Sequence, residues 1–215
     1  MIEPYYDRGG ITIYHGDCAE VMNQLGEFDL LLTDPPYGIG EDGGLRERYR
    51  RGDGRVRGCI KHKKLTWDES RPSIDIFNQM TSLSKTWMIF GGNYFADMLP
   101  ASSGWMYWDK KMGGDFSDGE LIYSNRNVGL RSITMHPFIG LRGGKDRVHP
   151  TQKPLGVIRW CLSQCPDVST VLDPFMGSGT TLLACKLDGI SCVGIEREEA
   201  YCEAAVKRLA QEVLF

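Results

Sequence analysis

Thr170-Val171-Leu172-Asp173-Pro174-Phe175-Met176-Gly177-Ser178-Gly179-Thr180-Thr181 reads as an apolar strand, a glycine-bearing turn and the start of a helix. A second apolar run, Phe28-Asp29-Leu30-Leu31-Leu32-Thr33, leads into Asp34-Pro35-Pro36-Tyr37-Gly38. Both runs are nearly continuous rather than alternating, which is what strands buried on both faces of a parallel sheet require. Working outward, short apolar runs at 11–15, 86–90, 105–108, 133–139 and 192–195 predict further strands. Helix-like segments at 19–25, 74–83, 94–99, 154–163, 179–187 and 198–213 fall between them. The alternation predicts an α/β fold with a mostly parallel sheet and helices on both faces.

The 215 residues fit one domain, expected over 1–215. Two stretches break the rhythm, a basic one within 39–66 and a Gly-rich polar one within 110–130, and both read as irregular insertions suited to substrate contact. A hydrophobic content of 41% with no run long enough to span a bilayer excludes a membrane protein of the helical kind. The start, Met1-Ile2-Glu3-Pro4, has no secretory pattern, and a cytoplasmic protein is expected. Seven cysteines are scattered without a Cys-x-x-Cys pair, so neither a disulfide framework nor a zinc site is expected, and the four histidines show no metal spacing.

A net charge of −3 carries no global signature of nucleic-acid binding. Affinity for a polyanion must come from a patch, and residues 41–64 hold nine cations against four acids. Arg46, Arg48, Arg50, Arg51, Arg55, Arg57, Lys61, Lys63 and Lys64 are therefore candidate phosphate contacts, a solvated loop being the alternative.

Ligands of open parallel sheets sit beyond the carboxyl ends of strands, so Asp34 to Tyr37 should face a crevice. Consecutive prolines fix the backbone and remove two donors, leaving carbonyls exposed. A carboxylate beside a backbone carbonyl suits an amine with two N–H bonds, and holding both hydrogens favours a nitrogen lone pair free to attack an electrophile. Taken alone, the pentapeptide is also an ordinary turn. At 173–180, glycines let the backbone approach a ligand and the helix start favours an anionic group. The turn lacks the lysine of a phosphate-binding loop, so a cofactor without phosphates fits better. Asp173 is placed to accept from an ammonium and Glu196, ending the next strand, to accept ribose hydroxyls, although a simple βα turn gives the same string.

Together these motifs resemble the amino-methyltransferase family of DNA modification enzymes. Its members pair an (Asp/Asn/Ser)-Pro-Pro-aromatic motif with a loop like Asp-Pro-Phe-x-Gly-Ser-Gly-Thr. The order here, catalytic motif first, is similar to the permuted β group. His15-Gly16-Asp17-Cys18 and His149-Pro150-Thr151-Gln152-Lys153-Pro154 resemble two further family segments. The resemblance implies a Rossmann-like methyltransferase fold using S-adenosyl-L-methionine on double-stranded DNA, with the target base flipped out of the helix. Asp34, Pro35, Pro36 and Tyr37 would be catalytic. Asp173, Pro174, Phe175, Gly177, Ser178, Gly179 and Thr180 would bind the methionine side of the cofactor, Glu196 its ribose and Asp17 its adenine, with Thr151 and Lys153 lining the site.

Within the family the first motif position is commonly Asp for adenine and Ser for cytosine, so Asp34 favours the 6-amino group of adenine over the 4-amino group of cytosine. An RNA methyltransferase, or a silent DNA-binding subunit keeping the fold without turnover, fits the motif set less well. A homodimer is compatible with it; the recognition sequence and any restriction partner are not legible in the string.

Overall fold

The computed structural model of the chain describes residues 2–39, 70–112, 117–137 and 152–211. They fall into two compact units, Met1–Pro35 with Ser73–Phe215, and Pro36–Pro72.

The larger unit is built on one sheet. Its first hairpin joins β1 (Tyr6–Arg8) to β2 (Ile11–His15) through Gly9 and Gly10, both at positive φ, a two-residue turn that glycine makes without strain. There follow α1 (Cys18–Met22), β3 (Phe28–Thr33), α2 (Ile74–Ser82), β4 (Ser84–Phe90), a single 3-10 turn (Gly92–Phe95), β5 (Met106–Asp109), β6 (Gly119–Ser124) and β7 (Arg131–Thr134). The chain closes with α3 (Leu155–Ser163), β8 (Thr170–Asp173), α4 (Thr180–Asp188), β9 (Ser191–Glu196) and α5 (Glu199–Ala210). The strands lie in the order β1-β2-β9-β8-β3-β4-β6-β5-β7. The pairs β2/β9, β9/β8, β8/β3, β3/β4 and β5/β7 are parallel; β1/β2, β4/β6 and β6/β5 are antiparallel.

Leu30, Leu31 and Leu32 are all fully buried. Because successive strand side chains point to opposite faces, both faces of the sheet must be covered. One face packs Leu30, Leu32 and Val171 with Val157, Ile158 and Cys161 of α3, Leu182 of α4 and Ala205 of α5. Leu31 and Leu172 lie outside that cluster, as do the buried Met22, Phe77 and Met80 of α1 and α2. The amino ends of β3 and β8 are pinned by Asp29, whose Oδ2 accepts from the Ser169 hydroxyl at 2.7 Å and the Thr170 hydroxyl at 3.0 Å. Those bonds and the ammonium of Lys85 hold its carboxyl well below the usual carboxylate range.

Three expectations need correction. The stretch 110–130 is not an irregular insertion, since β6 runs through it as an inner strand of the sheet with Ile122 and Tyr123 fully buried. Gly119 gives that stretch its loop-like look, but it is small for packing, because an added Cβ would strike the Tyr107 ring on the neighbouring strand. The helix expected at 94–99 is the 3-10 turn Gly92–Phe95, entered through Gly91 in the left-handed region at φ 64°. The strand expected at 133–139 ends at Thr134.

In the smaller unit the described residues are Pro36 to Ile39 and Ser70 to Pro72. Gly38 sits at φ +71°, and a Cβ there would lie 2.9 Å from the Arg71 backbone nitrogen, so the outgoing and returning chain touch where only glycine fits.

Candidate active site

Strand β3 connects through α2 to β4 on one side, while its other neighbour β8 connects through α4 to β9 in the opposite direction. The point between β3 and β8 is therefore where the connections diverge, and the crevice beyond the carboxyl ends there is the expected ligand position. The two sequence motifs meet at that point. Thr33 donates its hydroxyl to Asp173 Oδ1 at 2.8 Å, and the Phe175 N–H donates to the same oxygen at 3.2 Å. Asp173 is 3% exposed, and burial pushes its carboxyl up to about 6 despite those hydrogen bonds. Asp173 thus ties β3 to the glycine loop.

Asp34, one residue beyond β3, is held from the other side. Lys153, just before α3, places Nζ 2.6 Å from Asp34 Oδ2 and 2.9 Å from Glu120 Oε1. Glu120, at the head of β6, also pairs with Lys110 at 3.0 Å. The Lys153 ammonium lies 5.2 Å from the centre of the Phe90 ring and that of Lys110 5.0 Å from the Trp108 ring. Burial alone would push Glu120 up, but the two lysines prevail and bring it down to about 2. Burial likewise opposes the Lys153 charge, and Asp34 and Glu120 overcome it and raise its pKa. The result is a chain of alternating charges, Lys110, Glu120, Lys153, Asp34.

The glycine loop is set for a close approach. Gly177 lies at φ +51° with no described residue within 4 Å of the position a Cβ would take, and its N–H donates to the Glu196 carboxylate. Gly179 caps α4 at φ +74°, where an added Cβ would strike Ala205 of α5 at 2.8 Å. Pro174 and Ser178 are buried and Phe175 half-buried. Arg208 of α5 reaches back to the loop, donating to the Ser178 carbonyl at 2.6 Å, the Ser178 hydroxyl at 3.1 Å and the Thr180 hydroxyl at 3.2 Å. These hydroxyls shape the loop through Arg208.

On the far side of β8 the neighbouring ends of β2 and β9 carry two more carboxylates. His15 pairs with Glu196 across the sheet, and the Gly16 N–H donates to the Glu196 carbonyl at 2.9 Å. Asp17 caps α1 by accepting from the Ala19 N–H at 2.8 Å. Glu196 accepts from the Glu198 N–H at 2.8 Å, and burial raises its carboxyl above the ordinary value.

Of the sequence-derived residues, the larger unit gathers Asp34, Pro35, Lys153 and the 173–180 loop around the β3/β8 ends, with Asp17 and Glu196 at the ends of β2 and β9. Lys153, expected beside the cofactor, lies against Asp34. Pro36 and Tyr37 belong to the smaller unit. Thr151 and the basic run from Arg46 to Lys64 lie outside the described residues. Thr33, Lys110, Glu120 and Arg208 were not singled out by sequence; an acid opening an apolar run, as Glu120 does before Leu121-Ile122-Tyr123, was the available signal.

The raised Asp173 has a measurable consequence. The folded state binds this proton more tightly than the unfolded chain, whose ordinary value is 3.8. Its contribution to stability is therefore largest below about pH 4, falls as pH rises to about 6 and is level above that. Asp173→Asn keeps an acceptor for Thr33 and Phe175 but does not titrate. Its melting temperature relative to the parent should accordingly be more favourable at pH 8 than at pH 4 in thermal denaturation. An equal difference at both pH values would mean that Asp173 is not held near its desolvated value.

The comparisons with known proteins agree with this layout. A family model described as DNA methylase, of the N6/N4 type, matches residues 136–207. The type II methyltransferase M.ScaI of Streptomyces caespitosus is 27% identical, over 98% of this chain and 84% of that protein. Among solved structures, the M1.HpyAVI–SAM complex superposes with a TM-score of 0.60 at 24% identity, over 93% of this chain and 99% of that one. The cytosine-N4-specific PvuII DNA methyltransferase gives 0.64 at 14% identity, over 95% of this chain and 88% of that one. With both motifs brought to the divergence point of the sheet, the chain is similar to DNA methylases over almost its whole length and shares the fold of solved DNA methyltransferases.

Proposed function

We propose that this protein transfers the methyl group of S-adenosyl-L-methionine to the 6-amino group of adenine in double-stranded DNA. The observation that carries the reading is an acidic acceptor, Asp34, at the β3 end, one strand away from a glycine loop in which no described residue fills the space beside Gly177. The cofactor fits the residues present. Gly177 leaves room for it among the described residues, and Glu196 at the end of β9 and Asp17 after β2, one and two strands beyond β8, are carboxylates able to accept from a ribose diol and from an adenine amine. When bound, the cofactor supplies an electrophilic methyl carbon on a sulfonium.

The chain's own task is to present the amine. Asp34 accepts one N–H and the Pro35 carbonyl the other, which draws the nitrogen lone pair out of conjugation with the ring and toward the methyl carbon. Pro36 stiffens the loop, and Tyr37 stacks on the base once it has left the duplex, a contact worth about 1–3 kcal/mol. The cationic run from Arg46 to Lys64 neutralises phosphates. Adenine is favoured over cytosine because Asp, rather than Ser, opens the motif.

The test is transfer of label from methyl-labelled cofactor to duplex DNA, to RNA of the same sequence and to a protein mixture. Label in duplex DNA alone is expected; label in RNA or protein but not DNA would overturn the assignment.

A further inference from the structure

We propose that Arg208 is the positioning residue of the cofactor loop: from α5 its guanidinium holds Gly177-Ser178-Gly179 in the shape that S-adenosyl-L-methionine meets, so that the loop is set before the cofactor arrives. This rests on the reading above that the 173–180 loop holds the cofactor.

Ser178 stands between two glycines in the left-handed region, Gly177 at φ +51° and Gly179 at φ +74°. Glycine loses more backbone freedom on ordering than any other residue, and a binding loop left loose must be ordered when its ligand arrives, which weakens affinity. Local bonds restrain the two ends of this segment. The Gly177 N–H donates to the Glu196 carboxylate, and the Gly179 N–H donates back to the Met176 carbonyl at 2.9 Å. Arg208 restrains the middle. Its Nη1 donates to the Ser178 carbonyl at 2.6 Å, the Ser178 hydroxyl at 3.1 Å and the Thr180 hydroxyl at 3.2 Å. That carbonyl precedes the N-cap of α4 and lies outside the helical ladder, and Ser178 is buried, so little water can replace the guanidinium. The guanidinium is planar with its donors in a fixed fork, so three acceptors gathered on one nitrogen set the distance between the loop and α5. Ala205, one turn earlier on α5, closes the same approach, because a Cβ on Gly179 would lie 2.8 Å from its own. Arg208 has no acidic partner among the described residues. Burial lowers its pKa and no neighbouring acid raises it, so the loop is what this half-buried cation is there to bind.

The experiment compares the parent with Arg208→Met, Arg208→Gln and Lys186→Met. Lys186, late in α4, donates to the Leu209 carbonyl and so ties the same two helices without touching the loop. The readouts are cofactor affinity and stoichiometry by calorimetry well below the melting temperature, and kcat on duplex DNA. Both Arg208 variants should bind S-adenosyl-L-methionine about tenfold more weakly, the size of re-ordering one loop residue on binding. Their kcat at saturating cofactor should stay within about threefold of the parent, since the contact acts on binding and not on transfer. Lys186→Met should keep cofactor affinity within about twofold even where its melting temperature falls. Unchanged stoichiometry separates a looser loop from an unfolded fraction, which would remove sites without weakening those that remain. Parent-like affinity in the Arg208 variants would overturn the proposal. So would an equal loss in Lys186→Met, because the docking of α5 would then set the loop, and so would a fall in kcat at saturation as large as the loss of affinity. Should Arg208→Met fail to fold, Arg208→Gln, which keeps a polar amide at the site, decides alone. A parent that binds no S-adenosyl-L-methionine defeats the underlying reading; a binding parent with insensitive Arg208 variants defeats only this one.

Discussion

Asp34→Ala should slow methyl transfer to DNA by about a hundred- to a thousandfold while leaving cofactor affinity within a few fold. The size is that of removing one pre-placed hydrogen-bond group from a transition state. The selectivity follows from geometry. Asp34 stands at the end of β3 and meets Lys153, whereas the glycine loop is held by Asp173, Thr33 and Arg208. Lys153 would keep Glu120 at 2.9 Å, so the substitution leaves no stranded buried cation and the fold should hold. Single-turnover rates with saturating cofactor, beside calorimetric affinities, measure both quantities. Equal losses in the two would place Asp34 in the cofactor site.

Gly177→Val should do the reverse, weakening cofactor binding by at least tenfold. At φ +51° a β-branched side chain is an outlier, and holding it there costs about 1–3 kcal/mol. The added Cβ would meet no described residue within 4 Å. The side chain would project into the space assigned to the cofactor. The loop either stays and is filled or shifts and loses its backbone approach, and both oppose binding. Gly177→Ala, which adds less bulk, should lose less. Parent-like affinity in the valine variant would move the cofactor elsewhere.

What could be read in the string follows from burial. Strands β3 and β8 are covered on both faces, so their apolar runs are unbroken, and the rule that ligands sit beyond strand ends then places Asp34 and the 173–180 loop correctly at the sheet's carboxyl edge. Strand β6 was illegible for two reasons: Gly119 is small to seat the Tyr107 ring, and Glu120 is polar to serve an ion chain. Both mimic a loop. The Asp34–Lys153 contact joins residues 119 positions apart, and no local pattern encodes it. Arg208 likewise looks like an exposed helical cation until α5 folds back over the loop 30 residues earlier. Tertiary contacts of this kind appear only once the sheet order is known. The Gly9-Gly10 hairpin that starts the sheet, by contrast, did carry a short-range signal, two glycines followed by alternating Ile11-Thr12-Ile13.

The central claim concerns which atom receives the methyl group. Duplex DNA is incubated with the protein and methyl-labelled S-adenosyl-L-methionine, digested to nucleosides and separated by chromatography with mass detection. An acidic residue opening the Asp34-Pro35-Pro36-Tyr37 motif predicts that the label appears in N6-methyladenine. Label in N4-methylcytosine would contradict it.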